Sequence, residues 1–222
     1  MKSSQVGDAP AGRGDGRKRQ EILAAATERF GRDGYEHTKW ADIAGDVGVG
    51  PTALYHYFES KQHCLYEIMG ETIEAFRARF VEITTNERDP ARALTAVMAN
   101  SFELTELEVL RNRVLVAEQG RLSRPSNAQP EEDARQVARA RTRDLEFAWA
   151  SFLESAMRAG AIPQSDPRLL TLAIFGLYTS IWHWYRPTGI VPLKHIGEYF
   201  TQLALAMVGA SPDGLESERS AA

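Results

Sequence analysis

The residues best able to do chemistry in this 222-residue chain lie between Thr38 and Lys61, in the stretch TKWADIAGDVGVGPTALYHYFESK. Two short helical patterns are joined across Gly48-Val49-Gly50, one carrying Ile43 and Val47, the other running from Thr52 to Tyr57. Such a pair reads as a helix-turn-helix, whose second helix can lie in the major groove of DNA. Val47 and Val49 would pack the turn, and Ile43 and Leu54 the space between the helices. That leaves Thr52, Ala53, Tyr55, His56 and Tyr57 near the outer face. Two tyrosines and a histidine outside a short helix are costly unless a partner covers them. Their polar atoms suit phosphates or base edges, and Ala53 can touch a thymine methyl. Thr38, as N-cap of the first helix, and Lys61, just past the second, are placed to clamp phosphates, with Lys39 beside them. The triplet Arg17-Lys18-Arg19 offers a basic arm. The competing reading makes Tyr55 and Tyr57 core residues of a small bundle and the motif no more than a turn.

The elements that must position this segment are helical. Ile22, Leu23, Ala26 and Phe30 share one face of a helix that starts near Arg17 and ends near Gly34. Pro51 opens the third helix and Ser60 caps a long fourth, in which Leu65, Ile68, Met69, Thr72, Phe76 and Phe80 recur at three and four. Further helices follow through Leu94–Phe102, Arg111–Gly120, Glu131–Ala159, Asp166–Tyr185 and Leu193–Val208, with a loop at Ser123–Pro130. No alternating β-branched run lies between turn dipeptides, so the expected fold is all-α with about nine helices. The expected organisation is an unstructured tail over 1–15, a DNA-binding unit over 16–62, a second domain over 63–210 and a tail over 211–222.

Composition excludes several classes. The net charge of −4 argues against nucleic acid at first sight, but residues 1–63 hold nine basic and nine acidic residues. The remainder holds seventeen against twenty-one, so the acidity belongs wholly to the second domain. One cysteine rules out an internal disulfide. Cys64 could sense oxidants, though a lone helical cysteine more often packs. No metal site is expected, since His183 and His195 lack a third ligand at metal spacing. No nucleophile elbow or phosphate loop occurs, so neither a cofactor nor catalysis is expected. No signal peptide is visible, and the longest uncharged run, Leu169–Tyr185, is too short and too polar to span a bilayer. A cytoplasmic protein that does not engage membranes is the expectation.

The segment from about Arg17 to Leu65 resembles the DNA-binding domain of TetR-family transcriptional regulators. The matching residues are Ile22, Leu23, Ala26, Phe30, Gly34, Tyr35, Thr38, Ile43, Ala44, Gly48, Val49, Leu54, Tyr55, His56, Tyr57, Phe58, Ser60, Lys61 and Leu65. Gly50 and Pro51 depart from the pattern, standing where many members carry Ser or Asp and then Lys. The resemblance implies DNA contacts at Thr38, Ala53, Tyr55, His56, Tyr57 and Lys61. Thr52 and Lys39 join them from the reading above. It also implies a homodimer on a roughly palindromic, double-stranded operator, with recognition helices about 34–36 Å apart.

The second domain reads less sharply. Leu169–Tyr185 is apolar on two faces, which fits one face turned to its own domain and the other to a second subunit, together with Ile196, Tyr199, Phe200, Leu203 and Met207. A larger monomeric core is the alternative. The run Trp182-His183-Trp184-Tyr185-Arg186-Pro187-Thr188-Gly189 resembles the penultimate-helix end of actinobacterial TetR regulators of lipid catabolism that respond to acyl-coenzyme A thioesters. That resemblance implies a small hydrophobic effector. Candidate walls are Phe76, Phe80, Phe102, Trp149, Phe152, Phe175, Tyr178 and Trp182, with Arg143, Arg139 or Arg186 near a phosphate-bearing head group. Arg186 as a plain helix C-cap is the bland alternative. The expected function is a repressor released by such a ligand, with helix four as lever. The rivals are a regulator sensing an aromatic drug or antibiotic, and a helical module without a regulatory role.

Overall fold

The computed structural model describes residues 11–210, and these form nine α-helices, one 3-10 turn and no strand. The helices are α1 (Ala11–Asp33), α2 (Trp40–Asp46), α3 (Pro51–Leu54), α4 (Lys61–Asn86), α5 (Pro90–Asn100), α6 (Glu106–Glu118), α7 (Gln129–Arg158), α8 (Pro167–Trp184) and α9 (Leu193–Met207). The 3-10 turn, Gln119–Ser123, links α6 to α7. The tails expected over 1–15 and 211–222 fall mostly outside the described residues. Where they overlap, at residues 11–15, the chain is helical, and Asp15 faces the Tyr57 hydroxyl. Tertiary contact there overrides a glycine-rich composition.

Two hydrophobic clusters organise the molecule. The first joins Ile22, Leu23 and Phe30 of α1 to Ile43 of α2, Leu54 of α3 and Cys64, Leu65, Tyr66, Ile68 and Met69 of α4. It also takes in Val114 of α6 and Ala134 of α7, with Leu115 and Leu122 packed against it. This cluster therefore runs past residue 62 along α4 to Met69 and ties α6 and α7 to the head. The second cluster fills the space between α4 and α9, from Phe80 to Ala210. Gly31 lets α1 press onto α6, since a Cβ there would stand 2.8 Å from Leu110 Cδ2 and 2.9 Å from its Cβ.

The capping chemistry explains the boundaries. Ser60 accepts from the His63 amide at 3.0 Å and starts α4, as its position in the sequence indicates. Helix α6 begins earlier than Arg111, because Thr105 and Glu108 form a reciprocal capping box. Helix α3 is shorter than Thr52–Tyr57. After Leu54 the chain tightens into i→i+3 bonds, with Tyr55 N donating to Thr52 O and His56 N to Ala53 O, both at 3.2 Å.

Candidate DNA-binding face and effector cavity

The turn between α2 and α3 is a Schellman motif. Val49 N donates to Ala44 O at 3.0 Å and Gly48 N to Gly45 O at 3.2 Å, with Gly48 at φ +68°. Only a residue without Cβ takes that φ at little cost. Gly50 then enters as the N-cap and Pro51 as the first residue of α3, whose fixed φ suits that place. Leu54 is fully buried against Ile43, so rotation of α3 is fixed. Thr52, Tyr55 and His56 are exposed as a result, Tyr55 at 56%, and Ala53 and Tyr57 lie half-buried beside them. Pro51 and Gly50, which depart from the family pattern, sit at the exposed start of α3. Lys39 is exposed at the N-cap of α2 and makes no ion pair among the described residues. Tyr57 faces Asp15, whose carboxylate pushes its ionisation up by hydrogen bond and charge.

Three expectations about this face need correction. Thr38 does not cap α2: it is 3% exposed and its hydroxyl donates back to Gly34 O at 2.9 Å, closing the α1–α2 turn. Lys61 is spent inside the fold. Its ammonium donates to Tyr35 O at 2.7 Å and Thr38 O at 2.8 Å and lies 4.2 Å from the Tyr35 ring centre. Burial lowers its pKa. Nor are Arg17, Lys18 and Arg19 a free arm. Arg17 pairs with Glu21, Lys18 ties Glu21 to the Val47 carbonyl at 3.2 Å, and Arg19 reaches Glu67 at 2.9 Å across the Phe58 ring.

Between the head and the second domain lies a cluster that sequence spacing did not reveal. Arg121, in the 3-10 turn, pairs with Glu36 and Glu118 and lies 4.5 Å from the Tyr35 ring centre, so Tyr35 carries a cation on Arg121 and another on Lys61. Burial pushes the Tyr35 hydroxyl's pKa up. The turn is held from behind by Arg135, 3% exposed, which donates to Leu122 O at 2.6 Å and forks onto Glu132. Leu115 and Leu122 pack against the head's core on one side and line a cavity on the other.

That cavity has a volume of about 310 Å³, at the small end for ligand sites, and lies among α4, α5, α6, α7 and α8. Trp149, Phe175 and Tyr178 of the candidate walls line it, with Phe76, while Thr142, Leu145 and Glu146 add the α7 side. The Tyr178 hydroxyl donates to Ser101 O and accepts from Asn112 Nδ2, both at 3.2 Å. Burial raises its pKa. Phe80, Phe102, Phe152 and Trp182 do not line it. Phe80 stacks behind Trp149 at 4.7 Å, and Phe152 meets Phe80 edge-on. Phe102 and Trp182 each meet the Tyr178 ring edge-on at 5.6 Å. Arg143 and Arg139 are exposed, because successive residues turn by about 100° and Thr142, Leu145, Glu146 and Trp149 take the inner face. Arg186 is exposed too, donating to Tyr185 O at 3.0 Å as a helix C-cap. Cys64 is fully buried and its thiol pKa is pushed up by desolvation, the opposite of a reactive thiolate. Among the described residues no group of His, Cys, Asp and Glu could hold a metal ion, and no helix is long and apolar enough to cross a membrane.

A helix-turn-helix head on a larger all-helical domain defines the class, a DNA-binding transcriptional regulator. Residues 22–68 match the model for bacterial regulatory proteins of the tetR family, and residues 87–208 that for the tetracyclin repressor-like C-terminal domain. The chain belongs to the TetR family. It is similar to the HTH-type transcriptional repressor KstR2 of Mycolicibacterium smegmatis, 25% identical over 195 residues that cover 87% of this chain and 92% of the relative. A shorter likeness, 28% over 87 residues, covers 39% of this chain and 45% of the fatty acid metabolism regulator protein of Bacillus subtilis. Among solved structures, a tetR-family regulatory protein from Rhodococcus RHA1 superposes with a TM-score of 0.74 at 22% identity, covering 88% and 98% of the two chains. AibR, solved in complex with isovaleryl coenzyme A and operator DNA, gives 0.69 at 20% identity, covering 84% and 97%.

Proposed function

We propose that the chain acts as a homodimeric repressor in the cytoplasm and leaves a palindromic operator when a small hydrophobic effector, a fatty acyl-CoA first among candidates, enters the cavity. One observation carries the reading. Helix α4 starts at the end of the helix-turn-helix and supplies Ile73 and Phe76 to the cavity wall, so an occupant bears on the helix that carries the head. The contacts proposed for DNA are Lys39, Thr52, Ala53, Tyr55, His56 and Tyr57, with Thr38 and Lys61 supporting the fold of that face. The dimer is supported by Leu169, Leu172 and Tyr199 on α8 and α9, exposed at 65%, 54% and 64%. Gly176, with open space around it, would let two copies of α8 approach closely.

Effector binding can shift the DNA-binding equilibrium only by the difference in its affinity for the two states. The acyl-CoA choice draws on AibR's isovaleryl coenzyme A, on the fatty acid metabolism regulator among the relatives and on the apolar wall. Since no lysine, arginine or histidine among the described residues lines the cavity, the phosphate-bearing end of such a ligand stays outside it. Glu146 in the wall favours a second reading, an aromatic cationic drug or antibiotic. A thermal-shift screen with acyl-CoA thioesters and aromatic cations, followed by mass spectrometry of copurified ligand, separates them. Stabilisation by a thioester together with loss of operator binding supports the first reading. Indifference to every thioester removes it.

A further inference from the structure

Among the described residues Glu146 is the acidic side chain in the cavity wall, and it has no hydrogen bond or ion pair among them. The polar groups around it do not answer a second negative charge. Thr142 and Thr179 already give their hydroxyl protons to Ala138 O at 3.0 Å and Phe175 O at 2.7 Å, and Ser101 gives its own to Val97 O at 2.7 Å. Each then offers lone pairs to an occupant. The Tyr178 proton is committed to Ser101 O. The donors left are neutral, the Gln119 amide and the Trp149 indole. Arg79, which borders a 20 Å³ void behind Phe76, is paired with Glu108, and Arg141 turns to Glu74 at 4.0 Å. An anion entering this space would lose its water and meet a carboxylate instead of a counter-ion.

We infer that Glu146 makes the cavity select by charge: it admits a neutral amphiphile or one ending in an ammonium or hydroxyl group, and rejects one ending in a carboxylate. A fatty acid would therefore be read only after its carboxylate has been converted to a neutral ester or thioester. The inference rests on the cavity being the effector site, and the test separates the two claims. Decanoate, methyl decanoate, decan-1-ol and decylamine, below their micellar concentrations, are titrated into the full chain by calorimetry. The ester and alcohol should bind at least about tenfold more tightly than decanoate, a floor well below the repulsion of two like charges a few ångströms apart near a protein surface, and the amine most tightly. In Glu146→Gln the decanoate gap should close to within about threefold and the amine lose its advantage, the ester being unchanged. Leu145→Trp, which fills the cavity, should weaken all of them, locating the site. Decanoate matching the ester in the wild type, or an unchanged order in Glu146→Gln, overturns the charge selection and leaves the effector site standing. No binding by any member overturns both.

Discussion

Gly31 and Gly45 both lie inside helices and both are open to replacement by alanine, yet the structure gives the two substitutions opposite signs. At Gly31 the new Cβ would stand 2.8 Å from Leu110 Cδ2, 2.9 Å from Leu110 Cβ and 3.3 Å from its Cα. Carbon atoms prefer about 3.5–4.0 Å, so α1 and α6 must separate by about 0.7–1.2 Å. Two of the three obstructing atoms lie at or next to the backbone, so rotamer change gives little relief, and the overpacking cost falls near the upper end of about 1–3 kcal/mol. Alanine returns about 1 kcal/mol in helix propensity. The net is a loss of about 2 kcal/mol, or a Tm lower by roughly 4–8 °C for a chain of this size. At Gly45 a Cβ meets nothing within 4 Å, so only the propensity gain remains, about 0.5–1 kcal/mol, and Tm should rise by a few degrees. Scanning calorimetry at one fixed protein concentration reads both, since a dimer's Tm moves with concentration. A Gly31→Ala protein as stable as wild type, or a Gly45→Ala protein that falls as far as Gly31→Ala, refutes the packing described for the head.

Further outcomes follow from the same contacts. Arg121→Gln removes the cation shared with Tyr35 and the pair with Glu36, and should weaken operator binding several-fold in band-shift titrations while effector binding in calorimetry is unchanged; unaltered operator affinity would detach the 3-10 turn from the head. Glu67 is held below the ordinary glutamate range by the His63 imidazole and then by Arg19. A depressed folded pKa gives stability that is full above the unfolded value, about 4.3, and is lost as pH falls through the folded one. Arg19→Met should therefore flatten acid unfolding below about pH 4.3, and a curve parallel to wild type would contradict this. Cys64 in the native protein should resist iodoacetamide at neutral pH and react fully in denaturant; rapid native labelling would show that the site opens.

The head was readable because its determinants are local. Gly48 two residues before Gly50, apolar residues at 43, 47, 49 and 54, and Ser60 ahead of an apolar repeat each act within a few positions of themselves. What failed there was committed to distant partners. Lys61 looks like a surface cation until Tyr35 and Thr38, more than twenty positions earlier, claim its protons. Arg121 meets Glu36 across 85 positions, which no periodicity reports. In the second domain the aromatic residues were visible as types, but not their sorting into wall and support, because Phe80, Phe102, Phe152 and Trp182 differ from Trp149 only in what stands behind them. Arg143 has the charge a phosphate needs but lies on the outer face of α7. The spacing of Thr142, Leu145, Glu146 and Trp149 already marked the inner face of α7, and would have pointed to Glu146. The Thr105–Glu108 capping box was likewise present in the sequence and moves the start of α6 to Glu106.

The central claim is that the exposed face of α2–α3 holds operator DNA, and it is tested most directly by binding measurements on Tyr55→Ala and Lys39→Ala. Operator fragments selected from random duplex DNA are titrated at fixed salt, with Tm and sedimentation confirming an intact dimer. Tyr55 and Lys39 are exposed and make no hydrogen bond or ion pair among the described residues, so both variants should fold as wild type. Each should bind operator about ten- to a hundredfold more weakly, and Lys39→Ala should also lower the salt slope by about 2, one phosphate contact being lost in each protomer. Wild-type operator affinity in both variants would contradict the account.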